Sequence, residues 1–178
     1  MGAWGAIIMG FFGAVFAGLT MHRQLQVTDA ALAGPFVVFA AIGLAAVHVI
    51  RLPGTGLVPS AKAERTIMWS SIAEGVGLFL AANIVANLHR PDLLLPAMAM
   101  IVGLHFLPIA SAASFRPFYL LGAVLIIAAV AGFILSAPTG GTIAGLAAAL
   151  GLSVAAVLAV GRDWAAKRAT ASVASNSV

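Results

Sequence analysis

The chain has 178 residues, 62% of them hydrophobic and 8% charged, with nine basic and five acidic side chains and a formal charge of +4. Soluble domains carry about 25% charged residues, so this few charges cannot cover a water-soluble fold of this length. With a mean hydropathy of +1.12, the chain is expected to be solvated by a lipid bilayer. Its basic residues are scattered through short connections instead of running together with aromatics, which argues against a nucleic-acid partner. The lack of cysteine excludes disulfides, thiolate chemistry and cysteine-ligated metals.

Six apolar segments follow one another, over residues 2–21, 30–50, 66–88, 93–113, 117–135 and 142–160. Each is near the roughly 20 residues that cross about 30 Å of hydrocarbon as a helix. None shows the ten-residue alternation of a barrel strand. The connections "HRQLQVTD", "RLPGTGLVPSAKAER", "HRPD", "SFR" and "SAPTGG" hold the proline, glycine and charged residues that end helices. The pattern predicts an all-α, polytopic membrane protein: six transmembrane helices with short loops over residues 1–161. The tail, 162–178, turns small and polar and is expected to be disordered past Arg168. The first segment lacks a basic n-region and is expected to stay as a span, not to be removed as a signal peptide.

Basic residues set the orientation. Arg51, Lys62, Arg65, Arg116, Arg162, Lys167 and Arg168 fall on one side, against Arg23 and Arg90 on the other. Seven against two predicts N- and C-termini in the cytoplasm of a multi-pass protein of the cell's inner membrane. Trp4, Trp69 and Trp164, with His22 and His89, read as interfacial residues, and His48 and Arg51 as charges at a helix C-terminus.

Small residues recur at four-residue intervals in the first helix (Ala6, Gly10, Ala14, Gly18) and in the last (Gly141, Gly145, Ala149, Ser153). Such ridges let helix backbones approach closely, either inside the chain or in a homo-oligomer or against a membrane-protein partner. "GPFVVF" and "RPFYLL", and "TIMWSSIAEG" and "TIAGLAAALG", raise the expectation of a three-plus-three inverted repeat.

The chemistry concentrates in "WSSIAEGVGLFLAANIVAN", residues 69–87. Glu74 lies deep in this third helix, where an ionisable group costs at least about 2.5 kcal/mol and normally has a partner or a water-filled cavity. At 100° per residue, Ser70, Ser71 and Gly77 lie within about 60° of it. Asn83, Asn87 and Trp69 fall on a separate polar face. The short "HRPD" turn makes the third and fourth helices antiparallel neighbours. Counted from that turn, Glu74 and His105 lie about 21 and 18 Å deep, so His105 is its expected partner. Pro108, three residues beyond His105, is expected to break or kink the fourth helix.

No metal-binding spacing, nucleotide loop or cofactor motif occurs, and no nucleophile is marked beside the Glu–His pair. The expectation is a small transporter or channel-like protein for a small solute or proton, with Glu74, His105, Ser70 and Ser71 on the pathway. The alternative is a non-catalytic accessory or assembly subunit of a membrane complex. A membrane enzyme acting on a lipid-soluble substrate ranks third.

Overall fold

The computed structural model describes residues 2–135 and 137–175. Among these residues the fold is all-α, with six helices long and apolar enough to cross a membrane. They are α1 (Ala3–Arg23), α2 (Gly34–Arg51), α3 (Ala61–Asn87), α4 (Leu94–Ala113), α5 (Arg116–Ile134) and α6 (Thr139–Ser175). Short 3-10 turns at Ala30–Ala33 and Pro91–Leu93 lead into α2 and α4.

Three features differ from the sequence expectation. α3 starts at Ala61, before the expected residue 66, because the Ser60 hydroxyl accepts the amide of Ala63 and "AKAE" supplies strong helix formers. The tail expected to be disordered past Arg168 instead continues α6 through Ser175, the last residue described, while residues 176–178 lie outside the described residues. Its alanine content favours helix, and contacts described below hold its first turns. Pro108 does not break α4, which is helical on both sides of it. Proline removes one intrahelical hydrogen bond, but the adjacent Ile109 and Ala110 are wholly buried and pin that turn.

The helices pack in the order α2, α1, α6, α5, α4, α3, with α6 also touching α4 and α2. Phe16, Leu95, Val102, Ile109, Phe118 and Leu152 fill the centre. Both small-residue ridges are spent inside the chain. Gly10 and Gly18 receive Ile42, Phe39 and Phe36 of α2, and Gly13 abuts Ser153. A Cβ on Gly145 would overlap the buried Thr20 hydroxyl, and one on Gly141 would meet Gln24 at 2.7 Å. In a repeat, α2 would pack on α3 as α5 packs on α6; among the described residues no comparable packing joins α2 to α3. α3 rests on α4 and the 3-10 turn before it, and this leaves its sides open.

A second cluster closes the end of the bundle where α1 begins. α6 carries Asp163 and Lys167, 7% and 9% exposed. The Asp163 carboxylate accepts the amides of Ala3 (3.1 Å) and Leu57 (2.9 Å), placing negative charge at the positive end of α1. The Lys167 ammonium donates to the carbonyls of Ile50 and Leu52, both at 2.8 Å, at the end of α2. The loop between α2 and α3 crosses this cluster at Gly54, whose φ of +100° and 2.7 Å Cβ clearance from the Lys167 carbonyl admit only glycine.

Candidate functional site

Ser70 and Glu74 stand one turn apart on the edge of α3 that meets α4, and Gly77 lets the two helices close. A Cβ there would lie 3.1 Å from Ile101 of α4. This brings His105 between Ser70 and Glu74. His105 Nε2 is 3.5 Å from Glu74 Oε2, with the two side chains 7% and 14% exposed. The pairing inferred from matched depth is present.

Sequence reasoning missed how the imidazole is held. His105 Nδ1 lies 3.0 Å from the Ser70 backbone carbonyl and 3.0 Å from the Ser70 hydroxyl, while that hydroxyl lies 3.1 Å from the His105 carbonyl. A carbonyl oxygen only accepts, so Nδ1 carries the hydrogen and donates it to Ser70 O. The hydroxyl, in turn, donates to the His105 carbonyl. Two consequences follow. Nδ1 cannot take a proton from Ser70, so Ser70, His105 and Glu74 are not arranged to activate a serine nucleophile. And in neutral His105 the Nε2 lone pair faces the carboxylate, where two acceptors repel. The contact becomes attractive once the pair gains a proton, on either Nε2 or the carboxyl group.

Two clefts flank this site. One, of about 700 Å³, lies between α3 and α4 and reaches from Arg65 and Thr66 past Trp69 to Glu74, His105 and Pro108. Trp69 and Leu104 on its rim are 60% and 51% exposed, so it opens on the outer surface of the bundle. The other, of about 50 Å³, lies between α3 and α1 and includes Gly5, Met9, Ser71, Glu74, Val102 and His105. It has room for a few water molecules. Glu74 and His105 line both clefts, and the pair forms the partition between them.

The remaining candidates sort differently from expectation. Trp69, on a separate face by its helical angle, also lines the larger cleft, together with Ser70, Ala73, Glu74 and Gly77. Ser71 faces the smaller cleft. Asn83 and Asn87 are exposed, and their amides bond back to the carbonyls of Phe79 (2.8 Å) and Asn83 (3.0 Å) on their own helix. Pro108 contributes an apolar wall. Among the described residues no group of three histidine, aspartate or glutamate side chains is disposed to hold a metal ion.

The chain matches no family model, no curated protein and no solved structure. Glu74, His105 and the clefts beside them are therefore the features from which its chemistry must be derived.

Proposed function

We propose that the chain is a multi-pass protein of the inner membrane, with both termini cytoplasmic, and that it is a small proton-handling transporter whose exchange site is Glu74–His105. The observation that carries this reading is the orientation of His105: with Nδ1 committed to the Ser70 carbonyl, Nε2 and the Glu74 carboxylate face each other at 3.5 Å and attract only after a proton arrives. A pair whose only role were to fix helix register would not need to border two clefts. The six apolar helices, the short connections between them and the seven-to-two distribution of basic residues support the membrane placement.

Two experiments test this. In proteoliposomes containing a pH-sensitive dye, wild-type protein is expected to dissipate an imposed pH gradient faster than Glu74→Gln; equal rates contradict the transport role. Because the chain has no cysteine, single cysteines introduced at Ala171 and at Thr28 report orientation in intact cells. A membrane-impermeant maleimide is expected to label position 28 and not position 171.

A second reading has an observation of its own. α3 packs on only one neighbouring helix and is the least covered of the six, as an accessory subunit docking through α3 would require. That reading predicts stable co-purification with a larger complex and its loss on bulky substitution of Gly75, which has open space around it.

A further inference from the structure

We infer that the cleft between α3 and α4 takes a lipophilic organic cation, bound in exchange for the proton of the Glu74–His105 pair. This inference rests on the proton-exchange reading above and names the substrate class of that site.

Charge comes first. With its proton, the pair is neutral overall, whichever atom carries it. Without the proton, Glu74 is anionic and faces the Nε2 lone pair of His105 at 3.5 Å, leaving one uncompensated negative charge among apolar walls. Such a charge is costly in a medium of low dielectric, and a cation removes the cost as the proton did. The titratable and charged groups lining the two clefts are Arg65, Glu74 and His105. α1 and α6 contribute only Gly5, Ile8, Met9, Phe12 and Leu152, none of which titrates. Arg65 stands nine residues from Glu74, about 13 Å along the helix, too far to neutralise it directly.

The walls then decide which cation. Hard cations need six or more oxygen ligands. Apart from Glu74, the side-chain oxygens lining the larger cleft are the hydroxyls of Ser70 and Thr66, too few for such a shell. Sodium or a hydrated ammonium finds no cage there. A cation that carries its own apolar surface fits instead against Ala73, Ile101, Leu104 and Pro108, with the Trp69 indole beside it. Indole is the strongest of the aromatic faces for a cation, worth about 0.5–2 kcal/mol according to desolvation. The cleft volume of about 700 Å³ suits a drug-sized molecule. Entry follows from position: the cationic Arg65 guards one end, whereas the rim at Trp69 and Leu104 faces outward. In the membrane placement proposed above, that rim faces lipid, where a lipophilic cation partitions. No bond is made or broken in the exchange. The displaced proton leaves to water, and charge balances one for one.

Tetraphenylphosphonium is the probe. Purified protein in detergent is expected to bind it saturably and to release one proton per cation into weakly buffered solution. Its apparent affinity should weaken tenfold for each unit that the pH falls through the protonated range of the pair. Glu74→Gln should abolish binding and release, and Trp69→Leu should weaken binding about tenfold, with neutral triphenylphosphine oxide failing to compete. Binding that is independent of pH, or that survives in Glu74→Gln, overturns the inference, as does no binding by wild type. Where Glu74→Gln does not fold, the pH dependence of the wild-type protein and of Glu74→Asp decides. A Glu74-dependent dissipation of the pH gradient without tetraphenylphosphonium binding overturns the cation and leaves the proton site standing. Loss of both removes the proton reading as well.

Discussion

Two clusters of buried ionisable side chains among the described residues are satisfied in opposite ways. At the start of α1, Asp163 accepts two backbone amides and Lys167 donates to two backbone carbonyls, all between 2.8 and 3.1 Å. Backbone groups do not titrate, so these charges have fixed partners in a single arrangement. Midway along α3, Glu74 has one partner, at 3.5 Å, and that partner is itself titratable. The first site ties three helices and a loop together; the second sits on the helix with the fewest neighbours. A buried charge with complete backbone partners is architecture. One that lacks a partner until a proton arrives is a place where protonation and structure are coupled.

Substitutions probe this contrast, from the largest expected loss of stability to the smallest. Asp163→Ala leaves the amides of Ala3 and Leu57 without partners and should cost about 3 kcal/mol, with no specific effect on proton exchange. Reversible unfolding in mixed micelles measures it; a loss below about 1 kcal/mol would break the comparison. Lys167→Met keeps the apolar stem and abandons two carbonyls, for an expected cost of about 2 kcal/mol by the same measurement. Glu74→Gln places an amide donor opposite the His105 Nε2 acceptor, so stability should change by less than about 1 kcal/mol while proton exchange is lost. A large destabilisation with proton exchange intact would make the two sites alike. Ser70→Ala is the mildest. It removes the hydroxyl bond to the His105 carbonyl but retains the backbone carbonyl that holds Nδ1, and proton exchange should persist within a few-fold, read from the same proteoliposome assay.

The two sites were also unequally legible in the sequence. Glu74 and His105 could be matched because the short "HRPD" turn converts residue number into depth on two antiparallel helices. The same counting did not bring Trp69 to the cleft, since angles about a helix axis do not say which edge its neighbour leaves open. α4 leans on the Ser70–Gly77 edge of α3, and the cleft beside it takes in Trp69 as well as Glu74. Asp163 and Lys167 fall in the expected tail, and nothing in the sequence marks them, because their partners are backbone atoms more than a hundred residues away. No side-chain pattern announces an amide or a carbonyl. The tail was misread for a related reason: small polar residues suggested disorder, while the alanines among them and the anchored Asp163 and Lys167 favour helix. The ridges were visible in advance, but whether they would close inside the chain depended on which helices became neighbours.

Infrared difference spectroscopy between acid and alkaline buffers tests the central claim, that Glu74 and His105 share one exchangeable proton. The wild-type protein is expected to show a protonated-carboxyl C=O band or, with the proton on Nε2, an imidazolium band, which disappears at high pH, shifts in heavy water and is lost or moved in both His105→Gln and Glu74→Gln. A Glu74 carboxylate that remains ionised while His105 remains neutral throughout, or bands that neither titrate nor shift in heavy water, would contradict it.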